Sequence, residues 1–196
     1  GARNYAGGIY FYGADTVPTF DNLIVSGNTL TGESGSSNSY GAGLMSNSYA
    51  SPVITNADVV GNTCATGTCY GGGLLLWDWG GADVQNTNIV SNVAGSSGGA
   101  VYVWNASMLY FLDFDYTNFY DNGSSAFKNT TDPTGSDGNI AVDPDYTDVS
   151  SSGDSADWDL TLATGSSCID AGDPSILDTD SSVSDIGAYG GPGGAW

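Results

Sequence analysis

The sequence predicts an all-β chain built as a β-solenoid, which is a stack of similar coils. Composition gives the first indication: 30 of the 196 residues are Gly, Lys and Arg together number 2, and Glu33 is the single glutamate, so helix-forming residues are scarce. Repetition gives the second, because similar segments recur about every 30 residues. The third is the pattern within each repeat, where short runs of alternating apolar and polar residues are separated by Gly, Ser, Thr and Asn turns.

The repeats define the coils. Each repeat opens on small residues and an apolar run, as in "GGGLLLWD" at 71–78 and "GGAVYVWN" at 98–105, and closes on a second run that ends in Asn. One such unit cannot bury its own apolar face, so the units must stack. The repeat units lie near residues 6–28, 41–62, 71–92 and 98–122. We therefore assign the coils to residues 1–128, and we assign 129–196 to an irregular acidic loop and a C-terminal cap of the same domain.

An asparagine closes every repeat, which predicts an asparagine ladder. An inward Asn at the same turn of each coil can satisfy the backbone of that turn and can hydrogen-bond its copy in the next coil. We prefer this structural role to a ligand-binding one. The predicted ladder consists of Asn28, Asn62, Asn92 and Asn122.

Two motifs resemble known bacterial proteins. "GGAV" at 98–101 and "FYDN" at 119–122 resemble the GGA[ILV] and FxxN repeats of chlamydial polymorphic outer membrane proteins, although the first three units lack the aromatic residue. The tail "SSCIDAGDPSILDTDSSVSDIGAYGGPGG" resembles the ending of many secreted bacterial β-helix proteins. The resemblance implies a right-handed parallel β-helix of about four coils with a C-terminal capping segment, extracellular or on a bacterial cell surface. It implies little about activity, because one fold hosts many functions.

Strand alternation divides the apolar runs between two faces. The compact aliphatic set, which includes Leu74 and Leu76, is predicted to fill the core. The opposite, more aromatic set is predicted to face outward. Such a face needs a cover or a partner, and three explanations stay open: the segment after residue 140 covers it, it is a protein–protein surface, or it binds sugars. The outward set is Tyr10, Tyr12, Met45, Leu75, Trp77, Tyr102 and Trp104.

Cys64 and Cys69, in "CATGTC", are close enough in sequence to form a disulfide. A disulfide would place the chain in an oxidising, extracellular compartment; the alternative is two free thiols in a loop. Cys168 is distant from both in the sequence, and with no His and no fourth thiol a zinc site is not expected.

The net charge of −20 limits the possible partners. Nucleic acid and anionic membrane surfaces would be repelled, and no apolar run is long enough for membrane insertion. Cations are the natural counter-species. "DTDSSVSD" resembles the start of a calcium loop but lacks its Gly, where Val183 stands, and its bidentate Glu. A solvated turn is the alternative to Ca²⁺ bound by Asp178, Asp180, Ser182 and Asp185.

Catalysis is not expected. Asp113 and Asp115 would lie on one side of a strand at a spacing compatible with an inverting glycosidase, but any D-x-D strand does the same. The sequence has no His, and its two basic residues, Arg3 and Lys128, have no basic neighbour within a repeat. We expect a non-enzymatic extracellular structural or interaction protein, such as a surface adhesin or a filament-forming subunit, that binds itself or another surface protein. A carbohydrate-binding module is the alternative, and a polysaccharide lyase or hydrolase is less favoured.

Overall fold

A computed structural model describes residues 4–31, 38–64, 68–123, 125–149 and 154–194. The chain is a parallel β-helix, as predicted. No helix in these ranges is long and apolar enough to cross a membrane. The strands are β1 (Asn4–Tyr5), β2 (Ile9–Tyr12), β3 (Thr19–Ser26), β4 (Thr29–Leu30), β5 (Asn38–Tyr40), β6 (Leu44–Asn47), β7 (Val53–Val60), β8 (Thr63–Cys64), β9 (Thr68–Tyr70), β10 (Leu74–Trp77), β11 (Gly81–Val90), β12 (Val93–Ala94), β13 (Val101–Val103), β14 (Phe111–Asp115), β15 (Asn118–Tyr120), β16 (Phe127–Lys128), β17 (Tyr146–Asp148) and β18 (Asp159–Leu162).

The strands stack into four parallel sheets, one for each side of the coil. The first sheet has the order β1-β5-β9, the second β2-β6-β10-β13-β16, and the fourth β4-β8-β12. The third sheet has the order β3-β7-β11-β14, and β15 also pairs with β11. Three coils therefore contribute a strand to every sheet, a fourth coil is partial, and β16 adds one strand of a fifth to the second sheet. Neighbouring strands pair in the register that the sequence repeats predict: Leu74 pairs with Leu44 on one side and with Val101 on the other.

The long strands of the third sheet bend at a second recurring asparagine. Asn22, Asn56 and Asn86 have φ values of 55°, 51° and 48°, in the left-handed region that Asn tolerates better than most residues. The Asn86 side chain donates to Asn56 Oδ1 at 3.1 Å, and Asn56 donates to Asp21 Oδ1 at 2.9 Å. This bend turns each coil around the interior.

The core lies inside the coils and is mostly aliphatic. Leu74 and Leu76 belong to it, as strand alternation predicts, together with Val84 and Ile89 of the third sheet. Phenylalanines fill both ends: Phe11 and Phe20 pack together in the first coil, and Phe114, Phe119 and Phe127 close the last one.

The C-terminal segment caps one end and then lies along the third sheet. Residues 137–142 cover the edge of β15, where Phe119 N donates to Ile140 O at 2.9 Å. The chain then returns along the outer face of the third sheet, where Asn22 donates to Ala188 O and Gly190 O, and where Trp158 packs against Val60 and Val90.

Candidate functional site

The four closing asparagines form a continuous hydrogen-bonded ladder. The side chains of Asn28, Asn62 and Asn92 each donate to Oδ1 of the asparagine in the next coil, at 2.9, 2.9 and 3.1 Å. The same oxygen also accepts the backbone N–H of the preceding asparagine. These are the bonds of the predicted ladder, and they give the inner amides, Asn62 and Asn92, a structural role.

The predicted outward aromatic face is largely covered from within the chain. Met45 and Leu75 are fully buried and Tyr102 is 5% exposed. Their cover includes Tyr40 and Tyr70, which precede Met45 and Leu75 in the same coils and form one apolar cluster with all three buried residues. Met45, Leu75 and Tyr102 therefore lie in a cluster apart from the inner core, covered from within the chain, and they offer no surface to a partner or a sugar. The C-terminal segment is also not the cover, because its contacts lie on the third sheet.

Part of the predicted aromatic face stays open. Tyr10, Tyr12 and Trp104 are 42%, 64% and 38% exposed. Trp104 stacks on Trp77 with ring centroids 3.9 Å apart, and the Asn47 side chain donates to the Tyr10 hydroxyl at 2.8 Å. The remaining surface is therefore small, and it includes the exposed tyrosines of β2.

Among the described strands, none pairs with the outer edge of β2 or β3 in the first coil. Ile9 N and Gly13 N donate to the second coil, and in a parallel ladder alternate residues pair with the same neighbour. The backbone groups of Tyr10 and Tyr12 therefore point away from the stack. The same reasoning applies to β3, where Val53 N donates to Pro18 O, so the backbone of Thr19 also points outward.

The asparagine ladder ends at this edge with a free acceptor. Asn28 donates to the second coil, but among the described residues none donates to Asn28 Oδ1. A cavity of 390 Å³ lies beside it, and Ser155 from η2 (Ser155–Asp157) borders that cavity and donates to Ser26 O. The edge therefore offers apolar surface, unpaired backbone groups and one amide oxygen.

The predicted calcium residues lie around one cavity of 500 Å³. Asp178, Asp180, Ser182 and Asp185 line it together with Asp170. Asp178 already accepts the backbone N–H groups of Asp185 and Gly191, and Asp180 accepts the N–H and hydroxyl of Ser182. Burial raises the pKa of Asp185 to about 6, and the nearby Asp178 carboxylate adds to the shift. No group of three or more acidic or thiol side chains in the described ranges is arranged to hold a metal ion, and Ca²⁺ here stays a prediction.

Cys64 and Cys69 are disulfide-bonded, with Cα atoms 5.6 Å apart. Cys168 is a free thiol that is buried, and burial raises its pKa to about 12. A thiol held neutral in this way is a poor nucleophile.

Asp113 and Asp115 lie on the outer face of the third sheet, as alternation predicts. Asp113 pairs in register with Asp83, and burial together with the Asp113 charge raises the pKa of both Asp83 and Asp115. No basic side chain among the described residues forms an ion pair with them, and Arg3 lies outside the described residues. The structure therefore gathers carboxylates here without supplying a cationic partner.

An exposed aromatic cluster at the turn between the second and third sheets was not predicted. Tyr49 and Trp79 stack with centroids 5.6 Å apart and planes 5° apart, and Tyr110 meets Tyr49 edge-on at 5.8 Å. The sequence signal was available, because "SY" at 48–49 and "DW" at 78–79 recur at the same turn.

Comparison of the chain with protein-family models, curated proteins and solved structures finds no match. The resemblance to bacterial surface β-helix repeats therefore stays a prediction, and the function must be argued from the geometry.

Proposed function

We propose that the protein is an extracellular, non-enzymatic β-solenoid that acts by association, and that two copies associate through their first coils. The observation that carries this proposal is the asymmetry of the two ends in the part of the chain that the structure describes: residues 137–142 cover the last coil, whereas no described strand pairs with the outer edges of β2 and β3. Unpaired strand edges readily pair with another chain.

The side chains of the first coil support association. Tyr12, Val17 and Ile24 are 64%, 59% and 43% exposed. Only Asp15 and Asp21 carry charge between residues 4 and 31, so this end escapes most of the repulsion that a net charge of −20 creates elsewhere. Because the other end is covered, pairing of first coils gives a closed dimer, and the capped end argues against an open filament of identical subunits.

Two features favour a binding role outside the cell. The Cys64–Cys69 disulfide suits an oxidising compartment. The sequence has no His, and Lys128 is the one basic residue in the described ranges, so the usual proton-transfer and uronate-binding groups are missing from these ranges.

Sedimentation velocity over a wide concentration range tests the dimer, at about 0.5 M salt so that charge repulsion is screened. We expect a concentration-dependent dimer that Ile24→Lys weakens at least about tenfold, because Lys on an edge strand opposes pairing. Leu177→Lys is the matched control, since Leu177 is similarly exposed at 47% but lies in the C-terminal segment. A chain that stays monomeric throughout, or an equal effect of both variants, would contradict the proposal.

A carbohydrate-binding module is the second candidate, favoured by the open aromatic surface of Tyr12 and Trp104. Aromatic rings with a polar edge suit sugar stacking. Trp104→Ala is the variant to use, because Trp104 is the more exposed of the stacked pair, and because the Trp77 ring lies closer to the buried Tyr40, at 4.5 Å against 5.8 Å between ring centroids. Tryptophan fluorescence across a panel of neutral polysaccharides should shift in the wild type and not in this variant; no shift with any glycan excludes this candidate.

A further inference from the structure

The exposed aromatic cluster occupies a turn that ordinarily favours glycine. Tyr49 and Trp79 both have φ of 65°, and each follows another left-handed residue, Ser48 at 55° and Asp78 at 39°. Two successive residues with positive φ form the turn in which Asn-Gly and Asp-Gly are usual. A bulky side chain in this conformation is an outlier, and such outliers cluster at functional sites. The conformation of the turn therefore gives no reason for large aromatic residues at these two positions.

The rings have little to do with holding the fold together. Tyr49, Trp79 and Tyr110 are 44%, 36% and 57% exposed, and none of them belongs to an apolar core cluster. The turns are held instead by their backbones, with Tyr49 N donating to Trp79 O at 3.1 Å and Trp79 N donating to Met108 O at 2.7 Å. The aromatic groups are thus presented to solvent on a fixed scaffold.

The column of rings stops at the first coil and leaves a cavity. Tyr12 pairs in register with Asn47, so the residues that follow Tyr12 correspond to the Ser48–Tyr49 turn. There the first coil has Gly13, Ala14 and Asp15, with no ring to continue the column. A cavity of 290 Å³ remains at this place. It is lined by Ala14, Asp15, Val17, Tyr49 and Tyr110.

The residues that line this cavity are of the kinds that form an aromatic cage. The Tyr49 and Tyr110 rings stand at 71° to each other, so the cavity has two aromatic walls at a steep angle. Asp15 adds a carboxylate, and no basic residue takes part. Ring faces and a carboxylate both attract a positive charge, and aromatic cages are the usual recognition device for alkylammonium groups. An anionic ligand would meet a chain of net charge −20.

We propose that this cavity binds a small organic cation, either a quaternary ammonium or a protonated amine, against the ring faces of Tyr49 and Tyr110 and the carboxylate of Asp15. Trp79 acts as a positioning residue, because its stacking on Tyr49 fixes the plane of that ring. The inference does not depend on the proposed association through the first coil.

The test compares choline with 3,3-dimethylbutan-1-ol, which has the same shape without the charge, by NMR titration of the full chain. We expect saturable binding of choline that shifts the ring signals of Tyr49 and Tyr110. The uncharged analogue should bind at least about fivefold more weakly, because a cation gains from the ring faces and from the carboxylate. Equal binding of the two compounds, or binding of neither, would overturn the proposal.

Variants separate the cage from general charge attraction. Asp15→Asn should weaken choline binding about fivefold, whereas Asp132→Asn, at an exposed carboxylate elsewhere, should leave it unchanged. Tyr49→Phe should keep binding and Tyr49→Leu should lose it; if Tyr49→Leu does not fold, Tyr110→Leu, at the most exposed ring, takes its place. Equal losses in the two Asp variants would show non-specific attraction and overturn the assignment.

Two further probes distinguish the sources of such a cation. Oligomers of glucosamine, compared with N-acetylglucosamine oligomers that lack the charge, test a polysaccharide amine. Vesicles of phosphatidylcholine, compared with phosphatidylglycerol vesicles, test a lipid headgroup. A preference for the charged oligomer or for the choline vesicle names the source, and Asp15→Asn must abolish that preference if the cage is responsible.

Discussion

Asp58 is fully buried on the outer face of the third sheet, under the C-terminal segment. It accepts hydrogen bonds from the Tyr146 hydroxyl at 2.6 Å, the Asn88 side chain at 3.0 Å and Ala188 N at 2.9 Å. These three donors favour the charged form, yet burial outweighs them and raises the pKa of Asp58 to about 6. The carboxyl of the folded chain is therefore mostly neutral below about pH 6, well above the pH at which a free aspartate ionises.

This raised pKa predicts a dependence of stability on pH. The folded-state pKa of Asp58 lies above its ordinary value of 3.8, so its contribution is complete below pH 3.8 and is lost as the pH rises through about 6. The Asp58→Asn variant lacks this pH-dependent contribution to stability. Between pH 4 and pH 7 the difference in free energy of unfolding should therefore move by about 2 kcal/mol in favour of the variant.

Urea denaturation of both proteins across that pH range measures the difference. Asp185, whose pKa burial also raises to about 6, keeps part of the pH dependence in both proteins and cancels in the comparison. Asp148→Asn serves as control, because Asp148 is exposed on the same segment. A constant difference between Asp58→Asn and wild type would show that folding does not raise the pKa of Asp58.

At single residues, strand alternation predicted on which side of a strand each side chain lies, but it did not predict whether that side chain is buried. Strand alternation correctly separates Leu74 from Leu75, since the two belong to different apolar clusters. Alternation could not show that Leu75 is covered. The covering rings belong to Tyr40 and Tyr70, which lie in short strands whose sequence resembles that of a turn. Burial depends on what packs over a strand, and periodicity within that strand carries no information about it.

At the scale of elements, each inner asparagine of the closing ladder, Asn62 and Asn92, ties three coils together. The Asn92 side chain donates to Val59 O at 2.7 Å and to Asn122 Oδ1 at 3.1 Å, and its own oxygen accepts two bonds from Asn62. All of these groups are buried. The ladder thus satisfies turn backbone that water cannot reach.

Removing an inner member of the ladder should therefore cost much more than removing its end. Asn92→Ala leaves buried partners in two neighbouring coils without hydrogen bonds, and we expect a loss of about 3 kcal/mol in the free energy of unfolding. Asn28→Ala removes one side-chain bond at a half-buried site and should cost about 1 kcal/mol. Chemical denaturation of the two variants measures both costs, and similar values would refute the cooperative ladder.

The repeats predicted the coils well because each coil meets the same neighbours. The recurring asparagine of the bend, which is Asn22, Asn56 or Asn86 in successive coils, was not predicted, although it recurs with the repeat. Its role depends on the left-handed bend, and a recurring Asn in the middle of a strand pattern indicates that bend once it is noticed. The aromatic residues at the Tyr49 and Trp79 turn were missed because they occupy positions where glycine is expected.

At the scale of the whole molecule, the path of the C-terminal segment could not be predicted from sequence. It is held by individual polar contacts, such as Asn88 Nδ2 to Ile186 O at 2.9 Å, and by Trp158 against Val60 and Val90. No repeat or periodicity encodes such contacts. The segment nevertheless explains why the third sheet has buried polar residues on its outer face, including Asp58 and Asn88.

The charge of the chain acts on the whole stack. With a net charge of −20 and only Arg3 and Lys128 as basic residues, the carboxylates repel one another, and this repulsion opposes the compact state. Raising NaCl from about 0.01 M to about 0.5 M shortens the screening length from roughly 30 Å to a few ångströms. The melting temperature should therefore rise with salt, as differential scanning calorimetry would show, and a flat or falling melting temperature would contradict this account.

Calcium at matched ionic strength separates screening from binding. If Ca²⁺ binds the cavity around Asp178, Asp180, Ser182 and Asp185, it should raise the melting temperature beyond the effect of NaCl, because a ligand that binds only the folded state stabilises it. Asp180→Asn should remove that excess, since Asp180 is exposed in this cavity and its loss leaves the buried contacts of Asp178 intact. The same change at the exposed Asp132 is the control. Identical melting temperatures in Na⁺ and Ca²⁺ would show that the carboxylates of this loop serve only its hydrogen bonds.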